Sequence, residues 1–265
     1  MKNTIDLQQK RVLVTGGGQG IGAEICRAMA ACGADLLINY TGDGSLAEKL
    51  AEELKTAFGV RAFSFKADVS REEEVEKMFT WMDEMLGPID VLVNNAGCET
   101  VDHALDLDLA AWDRVLDVNL RGAFICAQHA GRRMAGRGSG VILNISSVHD
   151  RVPRKGFIHY CCSKAGMNMM TKCLALELGE YHVRVVAVSP GAIETDMNRG
   201  EIEAFGREKF NGWIPLGAIG QTEDVAWTCA FIASDKGAYI TGTEIYIDGA
   251  YKESTVPYDS RPKKK

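Results

Sequence analysis

No stretch of the 265 residues approaches the roughly 18 consecutive apolar residues of a membrane-spanning helix. The first ten residues, MKNTIDLQQK, lack an apolar h-region as well, so neither a membrane partner nor a secretory signal is expected, and the expected compartment is the cytoplasm. Basic charge is scarce: 30 Lys and Arg face 36 Asp and Glu, for a net charge of −6. Phosphate backbones are bound by a basic face, so nucleic acid is excluded as an expected partner. Only Arg261 and Lys263 to Lys265 form a basic run, which reads as a solvated tail. The eight cysteines, at positions 26, 32, 98, 126, 161, 162, 173 and 229, include no CxxC pair and no regular spacing. That removes a disulfide framework and a zinc site, and no metal is expected. They read as reduced, small apolar core residues. There is no internal repeat beyond a βα unit, and no linker.

What the chain does have is alternation. Arg11 to Thr15 is a short apolar run ending in glycines, and GIGAEICRAMAACG follows with helical spacing to a stop at Gly33. The strand DLLINY leads to a helix whose Ser45 and Glu48 form a capping-box pattern, and RAFSFKADV leads to a second such pattern at Ser70 and Glu73. Strand IDVLVNNAG, a helical region from about Asp108 to Met134, strand GVILNIS, a helix after Phe157 and strand VRVVAVSPG continue the series. Near-continuous Val, Leu and Ile content suits strands buried on both faces. The expectation is a single-domain α/β fold, a doubly wound (Rossmann) parallel sheet of about seven strands with helices on both faces. Residues 1–9 are an N-terminal extension, 10–250 the domain and 251–265 a C-terminal tail. Residues 191–220 exceed an ordinary loop and are expected to serve the substrate.

The stretch ISSVHDRVPRKGFIHYCCSKAG carries the chemistry. On a helix, Tyr160 and Lys164 are one turn apart and leave the same face. A free phenol titrates near 10, and a nearby ammonium lowers that value toward a usable base. The first turn, TGGGQGIG, puts Gly16, Gly20 and Gly22 between strand and helix, where backbone N–H groups can approach a pyrophosphate. Ligands in such sheets bind beyond the carboxyl ends of the strands. Asp68, Asn94 to Gly97, Ser147 and Pro190-Gly191 all follow expected strands and so converge on one crevice.

Through TGGGQGIG, NNAG, Asn119 in DVNLRG, Ser147, YCCSK and SPG, nearly the whole chain resembles the short-chain dehydrogenase/reductase family. The resemblance implies that Ser147 hydrogen-bonds the substrate oxygen and Tyr160 is general acid/base. Lys164 would hold the nicotinamide ribose and lower the tyrosine pKa, and Asn119 would hold a proton-relay water. The cofactor set it implies is Gly16, Gln19, Gly20, Ile21, Gly22, Tyr40, Thr41, Asp68, Val69, Asn95, Ala96, Gly97, Tyr160, Lys164, Pro190, Gly191, Ile193 and Thr195. It also implies a homotetramer built through the helices carrying Asn119 and Tyr160.

A closer likeness, in NAGCE, SSVHD with HYCCSK, GAIETDMN and IPLGAIG, is to bacterial glucose 1-dehydrogenases. It suggests that Glu99 and His149 line the substrate pocket, the other reading for each being a solvated loop residue. In the long loop, Met197, Phe205, Phe210, Trp213 and Ile214 either cover a steroid or pack the lid. Arg154 and Lys155 read first as surface charges, with selection of an anionic substrate as the alternative. Val186 and Ala250 stand where the family often has Asn and Gly.

The second strand ends in neither the acid that binds the NAD ribose nor the arginine that accommodates the NADP phosphate. Tyr40 and Thr41 occupy those places, while Asp43 would repel a 2′-phosphate, so NAD is preferred over NADP. The function expected is an NAD(P)-dependent alcohol–carbonyl oxidoreductase acting on a small molecule, first on a sugar as in glucose 1-dehydrogenase. A hydroxysteroid dehydrogenase is the alternative. A catalytically silent dinucleotide-binding module is the alternative of another class, against which an intact Ser147, Tyr160 and Lys164 argue.

Overall fold

Seven parallel strands in the order β3-β2-β1-β4-β5-β6-β7 form one sheet in a computed structural model that describes residues 5–254, side chains of residues 196–198 and 201 excepted. The strands are β1 (Arg11–Val14), β2 (Asp35–Tyr40), β3 (Ala62–Lys66), β4 (Val91–Asn94), β5 (Gly140–Ile145), β6 (Val183–Pro190) and β7 (Glu244–Ile247). The helices are α1 (Gly20–Ala31), α2 (Ser45–Phe58), α3 (Glu72–Met85), α4 (Leu109–Leu116), α5 (Ala123–Arg137), α6 (Ile158–Leu178), α7 (Asp196–Phe205), α8 (Arg207–Asn211) and α9 (Thr222–Ala233).

Strand side chains alternate between two cores, because successive residues point to opposite faces of a pleated sheet. Val12, Val14, Leu36, Ile38, Val91 and Val93 enter one core with Ile25 and Met29 of α1, Leu50 and Leu54 of α2 and Ile232 of α9. Leu13, Leu37 and Leu92 enter the other, with Met78, Phe79 and Met82 of α3 and Ile125 and Met134 of α5. Burying one such side chain completely contributes roughly 1.5–3 kcal/mol. Two buried faces demand apolar residues at every strand position, which explains the unbroken runs in the sequence. The order reverses at β1, whose neighbours are β2 and β4, and this is where a doubly wound sheet opens its crevice.

Both expected capping boxes are absent. The Ser45 amide and hydroxyl donate instead to Asp43, at 3.0 and 2.9 Å, and those of Ser70 donate to Asp68, at 3.0 and 2.7 Å. In each case a carboxylate two residues upstream competes successfully for the serine. The expected helix from Asp108 to Met134 is interrupted, since Asp117–Gly122 is a π-helical segment between α4 and α5. Cysteine placement also differs from expectation: all eight are free, but Cys162 and Cys173 are exposed, and only Cys26, Cys126 and Cys229 are buried.

Residues 191–220 contain α7 and α8 and their own small core of Ile202, Phe210, Ile214 and Ile219. Tyr251 packs against that core as well. The basic run at positions 261 and 263–265 lies outside the described residues. Among the described residues, no helix is long and apolar enough to cross a membrane, and no group of three or more His, Cys, Asp or Glu is placed to hold a metal.

Candidate active site

A cleft of about 780 Å³ runs along the carboxyl ends of the strands. Its floor is the glycine turn. Gly16 and Gly20 have φ of +60° and +54°, the left-handed region that glycine enters without steric cost. A Cβ on Gly22 would lie 2.5 Å from Asn95 Nδ2 and 2.6 Å from the Gly16 carbonyl oxygen. Asn95 locks the turn in place by donating to the carbonyls of Thr15 and Gly16, at 2.9 and 3.0 Å. Thr15 Oγ1 in turn accepts the amides of Asn95 and Ala96, at 2.9 and 3.0 Å. Helix α1 starts at this turn without a side-chain cap and with no acidic residue in its first turn. Its first amides therefore suit a pyrophosphate, and the residues present fit a dinucleotide.

Every residue of the expected cofactor set lines this cleft, from Gly16 to Thr195, together with Ser147. At the end beside β2, Asp43 lines it as well. The amide and hydroxyl of Ser45 hold the Asp43 carboxyl below its ordinary range, so it stays ionised. Asp68 is pushed up by burial, but Ser70 and the Arg114 guanidinium outweigh that and lower it overall. Residues the sequence did not single out, among them Asn39, Leu46, Cys98, Arg114 and Tyr251, line the cleft too. Asn39 and Cys98 directly adjoin the expected residues Tyr40 and Gly97, whereas Leu46, Arg114 and Tyr251 are brought there by the packing of remote segments.

The acid–base residues meet at the other end. Ser147 has extended backbone, and its Oγ accepts the His149 amide at 3.1 Å, leaving its O–H to hydrogen-bond the Tyr160 phenol. Lys164 is buried, at 4% exposure, and donates from Nζ to the Ile145 carbonyl at 2.8 Å. Its Nζ lies 5.5 Å from the Tyr160 ring centroid. Burial pulls the Lys164 pKa down to about 8, against the opposing charges of Glu99 and Cys98. Tyr160, half-buried, is shifted upward by burial first and by the Glu99 carboxylate next, with Ser147 and Arg154 opposing. The lysine-lowered phenol expected from the motif is therefore not what these residues produce by themselves. Desolvation and an acidic neighbour win, because both penalise the phenolate.

Asn119 is held against the loop that borders the cleft, beside Gly97 and Cys98. Its Nδ2 donates to the Cys98 carbonyl at 2.9 Å and to Ser163 Oγ at 3.2 Å, and its Oδ1 accepts the Cys98 amide at 2.8 Å. It lies in the π-helical segment and is fully buried, so its side chain ties the loop after β4 to α6 instead of lining the cavity.

Of the substrate candidates, Glu99 and His149 do line the cleft, and Arg154 joins them. His149 Nδ1 lies 2.8 Å from the Val152 carbonyl, which can only accept, so Nδ1 carries the proton of the neutral ring. Trp213 does not line the cleft. It packs against Phe205 and Phe210, with ring centroids 5.8 and 5.1 Å away. The Met197 side chain lies outside the described residues.

These features match known proteins across almost the whole length. The family model described as Enoyl-(Acyl carrier protein) reductase matches residues 16–252. The chain is 40% identical to 3-oxoacyl-(acyl-carrier-protein) reductase of Staphylococcus aureus, over 91% of this chain and 97% of the relative. It is 38% identical to 3beta-hydroxysteroid dehydrogenase 1 of Eggerthella lenta (92% and 94%) and 37% identical to glucose 1-dehydrogenase 2 of Bacillus subtilis (92% and 95%). A short-chain type dehydrogenase/reductase from Mycobacterium marinum superimposes with a TM-score of 0.88 at 34% identity, covering 93% of this chain and 97% of that one. A gluconate 5-dehydrogenase from Burkholderia cenocepacia, solved with NADP and tartrate, has a TM-score of 0.88 at 30% identity (94% and 97%). With the doubly wound sheet, the glycine turn and a Tyr160–Lys164 pair on one cleft, the chain belongs to the short-chain dehydrogenase/reductase family, oxidoreductases acting on CH–OH groups.

Proposed function

We propose that the chain oxidises a hydroxyl of a polyhydroxylated small molecule, a sugar in the manner of glucose 1-dehydrogenase, with NAD as preferred cofactor. The observation that carries this reading is the polar lining beside Tyr160: Glu99, His149 and Arg154 share one end of the cleft, while Phe205 and Trp213 pack within the lid. Carboxylate, imidazole and guanidinium suit several hydroxyls and are a costly lining for a purely apolar ligand. The ionised Asp43 at the opposite end, with no cation near it among the lining residues Asn39 to Ala47, supports NAD over its phosphorylated form.

The dinucleotide is held, on this reading, by the amides of the glycine turn and the start of α1, by Asn95 to Gly97, and by Lys164. When bound, it supplies the hydride acceptor, and the protein's task is orientation and proton handling. Ser147 donates to the substrate oxygen and Tyr160 exchanges the proton with it. The upward shift of Tyr160 keeps it a phenol, the form that donates to a carbonyl oxygen. Alcohol oxidation needs the phenolate, which the Ser147 hydroxyl and the Arg154 guanidinium favour, so oxidation speeds up as pH rises. Asn119 serves as a positioning residue that holds the loop after β4.

Phe210 and Tyr251 also line the cleft, and with the hydroxysteroid relative they support the alternative of a steroid alcohol. The test is absorbance of the reduced nicotinamide with NAD and NADP against sugars, polyols, hydroxysteroids and 3-oxoacyl thioesters. The proposal expects a polyhydroxylated substrate with NAD to give the highest kcat/KM. A hydroxysteroid or oxoacyl substrate ahead of every sugar would overturn it. In Tyr160→Phe, turnover falls about a thousandfold with dinucleotide affinity retained; a bound dinucleotide with no turnover on any alcohol would instead favour a silent binding module.

A further inference from the structure

His159 is fully buried and sits in the first turn of α6, immediately before Tyr160. Its Nε2 lies 2.8 Å from Thr100 Oγ1, on the loop that carries Glu99. Thr100 Oγ1 donates its only hydrogen to Asp102 Oδ2 at 2.7 Å, since a carboxylate accepts. The hydrogen between Thr100 and the imidazole must therefore come from the ring, so His159 is the Nε2–H tautomer and its Nδ1 bears the lone pair. That Nδ1 is buried without a partner, a cost that a carbon at the same place would avoid.

A second tie fastens the same two segments. The Asp102 amide donates to the Gly156 carbonyl at 3.1 Å. Gly156 has φ of +84°, and a Cβ there would come within 3.0 Å of Val101 Cγ1. The loop of residues 99–102 is thus stapled to the segment 156–160 at both ends, Thr100 being next to Glu99 and His159 next to Tyr160.

We propose that His159, Thr100 and Asp102 form a hydrogen-bonded clamp that fixes Glu99 opposite Tyr160, and that His159 and Thr100 are positioning residues setting where a second, non-reacting hydroxyl of the substrate is held. This rests on the reading of Tyr160 as the proton-transferring group and of Glu99 as a substrate contact. The charge of Glu99 reaches both Tyr160 and Lys164, as a carboxylate held over the reacting end of the cleft would. A histidine kept only for packing has no need of an oriented bond to an exposed threonine.

The isosteric Thr100→Val removes both hydroxyl bonds, and Thr100→Ser restores them. In the full-length protein, nitrogen-resolved NMR of the His159 ring is expected to show a protonated Nε2 and a bare Nδ1 in wild type and Thr100→Ser. A protonated Nδ1 in wild type would overturn the clamp whatever the substrate. With the best polyhydroxylated substrate, Thr100→Val raises KM about tenfold with kcat within about twofold. Dinucleotide affinity is unchanged, and Thr100→Ser recovers the wild-type KM. Glu99→Gln raises KM as well, and the double variant is no worse than Glu99→Gln alone, because the two act through one contact. Additive losses, or an unchanged KM in Thr100→Val, would sink the positioning role. If instead the best substrate is a steroid whose KM ignores both substitutions while the NMR signature stands, the sugar reading fails and the clamp survives.

Discussion

The two ends of the cleft are built on different principles. The end beside β1 and β2 is made of backbone: glycines at left-handed φ, the first amides of α1, and Asn95 and Thr15 wiring one strand end to the next. The end beside β5 is made of side chains delivered from segments far apart in sequence, Glu99, His149, Arg154, Tyr160 and Phe210. Backbone sites recognise what every dinucleotide shares, and side-chain sites discriminate among substrates. The relatives are named for a steroid, an acyl carrier protein and a sugar.

Lys164 stands where the two ends meet, and changing it has the largest effect expected here. Its folded pKa of about 8 lies below the ordinary 10.5, so between those values the unfolded chain binds more protons and stability rises with pH. The cost of the buried ammonium is fully present below pH 8. Lys164→Met removes it, by an amount on the order of 3 kcal/mol before the lost bond to Ile145 is deducted. The variant should therefore be more stable than wild type at pH 7, and the gap should close toward pH 10. Denaturant unfolding at several pH values checks this, and a gap that widens with pH would contradict it.

Gly22→Ala probes the backbone end. Its Cβ would meet Asn95 and the Gly16 carbonyl, costing about 2 kcal/mol of overpacking. Calorimetry should report a lower Tm, and cofactor titration a weaker dinucleotide. If affinity held while Tm fell, the turn would be structural only. Asp43→Ala tests cofactor choice: the ratio of kcat/KM with NADP to that with NAD should rise about fivefold at low salt and less at high salt. A ratio indifferent to this change would remove Asp43 from the argument.

The smallest effect is expected at Ala250, a non-glycine residue at φ +67°. The turn is held by its own amide and that of Lys252, both donating to Asp248 at 3.0 Å. Ala250→Gly relieves the left-handed strain and should stabilise by up to about 1 kcal/mol, with kinetics unchanged. A lower Tm would mean that the methyl group has a packing role.

Legibility followed the same boundary. The strands were readable because burial on both faces forces apolar residues at every position, and the glycine turn and the Tyr160–Lys164 pair because the residues that define each lie within a few positions of one another. Trp213 has two readings in the sequence, covering a ligand or packing the lid, because an aromatic residue there reads alike in either role, and in the fold it packs on Phe205 and Phe210. The capping boxes failed for a local reason that was present in the sequence: Asp43 and Asp68 stand two residues before each serine and capture it.

By itself, then, the sequence determined the doubly wound sheet, the glycine turn and the one-turn spacing of Tyr160 and Lys164, all consequences of short-range sterics and strand or helix periodicity. Only the tertiary structure decided the electrostatics. Glu99 arrives beside Tyr160 from a loop sixty residues away, roughly counted, and burial surrounds both Tyr160 and Lys164. A pKa depends on distance through space and on lost solvent, and neither is written in spacing along the chain.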